Sequence, residues 1–242
     1  MSAGVVRAEE LQICAKSEKS RLDAQKKGYG VTPEPGWLWD GCDVLFAAIP
    51  GPAFETAAPS LSVAPEGKTL VSLMAGVPAA RLRALLGEGI RVVRAMPSLA
   101  VARGCGITGL TSGAPGEVRD LLTRLGPVID IEEPELEKVT AFAACGLGFA
   151  AYLLDAYKNA GAALGLTGRE SLAVTVNTFQ NALEMGGFAD TAKQVATKGG
   201  ATRAGLDVLE RVDIGRILEA VVLAAYERAE ATASEGGGPL CE

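Results

Sequence analysis

No histidine occurs anywhere in this chain. Without an imidazole to act as base, Ser-His and Cys-His nucleophile pairs drop out of the possible chemistries. Cysteine is scarce and scattered: Cys14, Cys42, Cys105, Cys145 and Cys241 are odd in number and form no CxxC pair. Together with the missing histidine, this leaves no metal site of the usual zinc type. Positive charge is also short, 23 Lys and Arg against 29 Asp and Glu for a net charge of -6. No basic stripe can neutralise a phosphate backbone over many contacts, so nucleic acid is not an expected partner. The sequence shows no run of the roughly 20 apolar residues a bilayer span needs and no charged-then-apolar leader, so no membrane partner is expected. A reducing cytoplasm is the expected compartment. Finally, no Gly-x-Gly-x-x-Gly turn follows a strand-like segment. Catalysis, if any, must use hydroxyls, carboxylates, backbone amides or a cofactor.

What is present is apolar enough to fold, with 48% hydrophobic residues in 242. The first half alternates short apolar runs with helical patterns. Residues 11–15, 43–49, 68–73, 90–95, 106–110 and 128–131 read as strands, and 20–27 and 78–86 as helices. Strands without polar alternation, separated by helices, predict a parallel sheet covered on both faces. From about Glu135 the texture becomes Ala- and Leu-rich and helical, broken at Gly161, Gly165, Gly186-Gly187 and Gly199-Gly200. The charged pair and proline at Glu132-Glu133-Pro134 mark a boundary. The expected organisation is α/β then all-α: residues 1–133 as a Rossmann-like sheet domain, 134–233 as a helical domain, and 234–242 as a flexible tail. The stretch 139–163 is apolar on nearly all its faces, so a second copy of the chain is the simplest way to cover it.

Five segments, in order, carry a resemblance. They are Asp43-Val-Leu-Phe-Ala-Ala-Ile-Pro50, Ser72-Leu-Met-Ala-Gly-Val77, Arg94-Ala-Met-Pro-Ser98, Thr140-Ala-Phe-Ala-Ala-Cys-Gly-Leu-Gly-Phe149, and Thr197-Lys-Gly-Gly-Ala-Thr-Arg-Ala-Gly205 followed by Leu209-Glu210. Together they resemble the pyrroline-5-carboxylate reductases over nearly the whole chain from Gly4 onward. The resemblance implies hydride transfer from a reduced nicotinamide to a cyclic imine, giving L-proline. It also implies a truncated Rossmann-like NAD(P)-binding domain followed by a helical dimerisation domain that carries the substrate loop, in a homodimer or a ring of dimers.

By that resemblance Gly199, Gly200 and Ala201 present backbone N-H groups to the substrate carboxylate at a helix start. The hydroxyl of Thr202 bonds the ring nitrogen and orients it, making Thr202 the catalytic candidate. The same residues also suit a glycine-rich break between packed helices. The cofactor would lie over Ala47, Ala48, Ile49 and Pro50 and over Ala75-Gly76, although small residues after strands also serve packing alone. The turn Ala15-Lys-Ser-Glu-Lys-Ser20, with Ser17 at its centre, offers cations and hydroxyls to an adenosine 2′-phosphate, favouring NADPH over NADH. An ordinary solvated loop has the same composition. The Ala/Gly-rich run 140–149 is better explained by close helix packing, with Cys145 a small buried residue.

The resemblance fails at its start, because a family member opens with a strand, a Gly-x-Gly-x-x-Gly turn and a helix. Two explanations fit: a reading frame that begins too late, or a chain that truly lacks the unit and binds dinucleotide poorly. Ile49, Ser98, Cys145 and Phe149 also depart from the family pattern. The alternative reading is therefore a catalytically inactive relative that serves as a dimerisation or regulatory module.

Overall fold

The computed structural model describes residues 5–61 and 67–234; of the expected tail 234–242 only Ser234 is among them, and it is the last residue of a helix instead of the start of a tail, while the rest, with Cys241, lies outside the described residues. The chain divides into two compact units, Met1–Cys145 with Ala225–Glu242, and Gly146–Ala224.

The first unit is built on strands. After a 3-10 turn at Ala8–Glu10 come β1 (Gln12–Cys14), α1 (Glu18–Lys26), β2 (Gly30–Thr32), α2 (Pro35–Asp40), β3 (Val44–Ala47), α3 (Gly51–Ala57), β4 (Thr69–Ser72), α4 (Ala79–Leu86), β5 (Arg91–Pro97), β6 (Thr108–Thr111), α5 (Gly116–Thr123) and β7 (Val128–Ile131). They form two sheets, β1-β2 and β3-β4-β5-β6-β7. All neighbours are parallel except β5 and β6, which run antiparallel from Ala95↔Leu110 to Pro97↔Thr108. The expected parallel sheet is thus mixed at one step. Between β5 and β6 lie only a 3-10 turn at Leu99–Arg103 and a short loop, and a dozen or more residues are needed to carry a chain back for parallel pairing.

Successive residues of a strand point to opposite faces, and both faces here are covered. Leu70 and Val92 pack with Trp39, Phe54 and Leu82, whereas Val71 and Val93 pack with Leu110, Val118 and Leu122. That double burial is why the strands read as unbroken apolar runs. Trp39 is fully buried, and Lys68 crosses its ring with Nζ 5.3 Å from the centroid. The same ammonium donates to the carbonyls of Trp39, Asp40 and Cys42, satisfying the end of α2.

The helical segments begin with α6 (Leu136–Val139), which continues through a π-helical turn at Thr140–Ala144. Leu136, Val139 and Ala141 are buried, and a side chain on Gly109 of β6 would meet Val139 at 2.8 Å. This packing assigns residues 136–144 to the sheet unit, so the compact division falls later than the Glu132-Glu133-Pro134 boundary. The second unit holds α7 (Gly146–Ala160), α8 (Gly168–Met185), α9 (Phe188–Val195), α10 (Ala201–Arg211) and the first part of α11 (Ile214–Ser234). Its breaks need glycine: Gly165, Gly186, Gly187 and Gly199 have φ of 79°, 61°, 48° and 74°. Tyr157 of α7 meets Phe179 of α8 edge to face at 5.2 Å.

One sequence-based expectation needs correction. The helical run Glu133–Leu164 is, by length and composition, long and apolar enough to cross a bilayer, with a mean hydropathy of 1.6 over its best window. It contains the same stretch, 139–163, whose apolar surface was expected to need a second copy.

Candidate active site

The glycine-rich segment of the second unit is shaped by its backbone. Gly199 takes a left-handed φ of 74°, and the Gly200 amide bonds back to the Thr197 carbonyl at 2.9 Å. A side chain on Gly200 would collide with Thr197. Gly200 is then the N-cap of α10, and no side chain caps the helix. Its first-turn N-H groups, from Ala201, Thr202 and Arg203, are therefore free to receive a negative group. Arg203 does not compete for that role. Its guanidinium is held protonated by Glu210 first and Asp207 second, with Nε 2.7 Å from Asp207 and a terminal nitrogen 2.6 Å from Glu210. Ala201 and Thr202 are exposed, so an amide cradle and a hydroxyl stand at one helix end.

In the first unit, β3, β4 and β5 run in the same direction, with Ala47 opposite Ser72 and Ser72 opposite Arg94. Residues just past the ends of β3 and β4, 48–50 and 73–76, thus come from neighbouring strands. Crevices beyond the carboxyl ends of parallel strands are where open α/β sheets bind ligands. Ala48 and Ile49 are exposed, whereas Ala47 is buried. Gly76 has a φ of 70°, and a side chain there would lie 2.8 Å from the backbone of Thr232 and Ala233. The last turn of α11 therefore packs over Gly76, which accounts for that glycine without a ligand. Ser17 is the N-cap of α1: its Oγ accepts from the Ser20 amide at 3.1 Å and donates to the Ser20 hydroxyl at 2.7 Å. Arg21 braces the same turn, donating to the Ala15 and Lys16 carbonyls at 2.9 and 2.7 Å. Lys16 and Lys19 stay exposed.

Three motif residues are engaged structurally. Arg94 is 3% exposed, bonds Glu137 at 2.8 Å and lies 3.7 Å from Glu133, and its Nε has no partner. Thr140 donates to the other Glu137 oxygen at 3.0 Å. Sequence reasoning named Arg94 and Thr140 separately and missed Glu137; the one available signal was a carboxylate at the inward position of a helix otherwise burying Leu136 and Val139. Ser98 is also buried, pairing its amide and hydroxyl with the backbone of Ile107 at 2.8 and 3.1 Å. Asp155 accepts from Lys158, whose hydrogen bond holds its carboxyl below the usual carboxylate range, and from Asn159 at 2.8 Å.

The family model for pyrroline-5-carboxylate reductase dimerisation matches residues 133–232, a span that contains the glycine loop and α10. The pyrroline-5-carboxylate reductase of Staphylococcus aureus (strain COL) is 27% identical over 235 residues, 91% of this chain and 87% of that protein.

The chain is a relative of the pyrroline-5-carboxylate reductases.

Two solved members have the same fold. The Plasmodium falciparum pyrroline carboxylate reductase with NADP bound superposes with a TM-score of 0.85 at 20% identity, covering 96% of this chain and 90% of that one. The 1-pyrroline-5-carboxylate reductase of Streptococcus pyogenes superposes with a TM-score of 0.84 at 24% identity, covering 91% and 89%. In this reductase relative the mixed sheet followed by helices is thus the fold of the reductases, and the glycine loop sits inside the matched helical region.

Proposed function

We propose that the protein is a pyrroline-5-carboxylate reductase-type oxidoreductase that reduces the C=N bond of a small cyclic imino acid to L-proline, as a cytoplasmic homodimer. The observation that carries this reading is the uncapped start of α10. Backbone amides at 201–203 face outward beside the Thr202 hydroxyl, with the Arg203 charge tied down. A carboxylate held by those amides places an adjoining ring nitrogen within reach of Thr202. The hydroxyl orients that nitrogen by a hydrogen bond, and the nitrogen keeps a proton as the C=N carbon is reduced.

A nicotinamide cofactor, when bound, supplies the hydride. The chain's residues fit it at two places. Lys16, Ser17 and Lys19 around the start of α1 suit an adenosine 2′-phosphate, favouring NADPH over NADH. Ala48, Ile49 and Pro50 beyond β3 and Ala75 beyond β4 supply a surface for a flat ring, whereas Ala47 is buried and Gly76 lies under α11. The one Gly-x-Gly-x-x-Gly match in the sequence, Gly104–Gly109, leads into β6 instead of opening a helix, so it offers the pyrophosphate no helix N-terminus. The thiols of Cys14, Cys42 and Cys105, none of them in a disulfide, suit a reducing compartment. In the dimer, a second copy covers the apolar helix faces of the matched region.

NADPH oxidation in the presence of pyrroline-5-carboxylate is the deciding assay. We expect turnover, and a loss of about 10²-fold in kcat/KM for Thr202→Ala that Thr202→Ser largely restores. A folded dimer with no turnover would instead establish the inactive relative, an outcome favoured by the purely structural engagement of Ser98 and Thr140.

A further inference from the structure

Residues 73–78 carry the chain from the end of β4 to the start of α4, and they are held at both ends and in the middle. At the strand end the Leu73 amide donates to the Ala47 carbonyl at 3.0 Å, extending the β3-β4 ladder by one residue. The Met74 amide donates to Ser72 Oγ at 3.3 Å. Met74 and Val77 enter the core with Leu82, while Gly76 lies under the last turn of α11. Of residues 74–77 only Ala75 is not buried.

The helix end is held from far away in the sequence. α4 starts at Ala79 behind Pro78, which has no side-chain group to cap it. Glu133 supplies the missing acceptor, its Oε1 receiving the Ala79 amide at 2.6 Å across 54 positions. A carboxylate there also faces the positive end of the helix. Glu133 sits on the 3-10 turn Glu133–Glu135 that follows β7. Its same oxygen lies 3.7 Å from the Arg94 guanidinium, which bonds Glu137 at 2.8 Å. Arg94 belongs to β5, where it pairs with Ser72 at the end of β4. The guanidinium thus ties the turn before α6 to the strand beside the loop, and Glu133 ties that turn to the loop's far end. A buried ion pair adds little stability over apolar residues of the same size, and its best-attested use is to fix one arrangement among several.

We propose that Glu133 is a positioning residue for the cofactor surface: by capping α4 it fixes the far end of residues 73–78, and so the place of Ala75 against a flat nicotinamide ring. The proposal rests on the reductase reading and adds to it a residue that touches no reacting atom and acts through the Ala79 amide. Without the cap that amide has no acceptor, and α4 is free to start later and lengthen the loop. Met74 and Val77, held in the core, limit the displacement, so the effect falls on cofactor affinity and not on folding. Glu133→Gln keeps an oxygen for the Ala79 amide and loses only the charge beside Arg94, so it separates the cap from the ion pair.

The test combines an NADPH fluorescence titration of the full chain with amide hydrogen exchange and steady-state kinetics. Glu133→Ala should weaken NADPH binding and raise its KM about tenfold, the worth of one helix cap, and Glu133→Gln should restore both. The Ala79 amide should exchange about tenfold faster in the alanine variant than in the wild type or the glutamine variant. The KM for pyrroline-5-carboxylate, held on that reading by α10 of the second unit, should stay within about twofold. A merely structural role would reduce the folded fraction, lowering kcat and leaving the NADPH dissociation constant where it was. That result overturns the proposal while the reductase reading stands, as does a glutamine variant no better than alanine. A wild-type chain that binds no NADPH removes the reductase reading and this proposal together. Should Glu133→Ala fail to fold, Glu133→Asp, one methylene short of the Ala79 amide, carries the same comparison.

Discussion

Arg94 is the residue whose surroundings constrain it most. Its charge is buried with Glu137 at 2.8 Å, and removing one partner of such a pair strands the other in a medium that cannot solvate it. Arg94→Met should lower the unfolding free energy by about 3 to 5 kcal/mol in urea titrations, and Arg94→Met with Glu137→Leu should recover most of that loss. Equal loss in the single and double variants would show that packing, not charge, holds the site. The thiols give a second residue-scale prediction. Burial is the first cause raising both Cys14 and Cys42; at Cys42 it outweighs the Lys68 ammonium, which pulls the other way. A raised pKa means less thiolate at neutral pH, so alkylation of both should keep climbing above pH ~8.5, where an ordinary thiol levels off. Mass spectrometry of labelled peptides against pH reads this directly.

Among the elements, α8 states its own beginning. Thr167 and Glu170 form a reciprocal capping box, with the Thr167 amide 2.8 Å from Glu170 and the Glu170 amide 3.3 Å from the Thr167 hydroxyl. Thr167→Ala should cost about 1 kcal/mol in thermal unfolding, and Thr167→Ser much less. Elements of this kind, whose signals lie within a few residues, were legible in the sequence: β3, β4 and β5 as apolar runs, and the helix breaks at Gly165, Gly186-Gly187 and Gly199. Elements defined by their partners were not. β2 has three residues, Gly30–Thr32, and becomes a strand only by pairing with β1. The reversal of β6 depends on where a short loop delivers the chain, which no periodicity records. At the site the same division holds. Gly199 and Gly200 announce a turn before a helix, whereas Arg94 and Glu137 are 43 positions apart and meet only in the fold.

For the molecule as a whole, the exposed apolar surface of the helical unit matters most. Leu172, Val176, Phe179 and Leu183 recur on one side of α8 at spacings of three and four, and Leu183 is 68% exposed. A stripe of that size on a lone chain invites association, and in the proposed homodimer a second copy would cover it without new partners. Val176→Glu should shift sedimentation from dimer to monomer while the helix content by circular dichroism is kept. A variant that stays dimeric would place the interface on another helix. The closing turns of α11 raise a different matter, that of timing during synthesis. Gly76 lies in the first third of the chain, yet the turn that packs on it, at Thr232 and Ala233, is almost the last described stretch to be made. Domains tend to fold as they leave the ribosome, N-terminal parts first. Here the sheet unit emerges with the part it receives from the end of α11 still outstanding and cannot finish until the helical unit has been translated. A nascent chain stalled before Thr232 therefore carries a sheet that is not yet closed, and it is that intermediate, more than the finished protein, that a chaperone would meet.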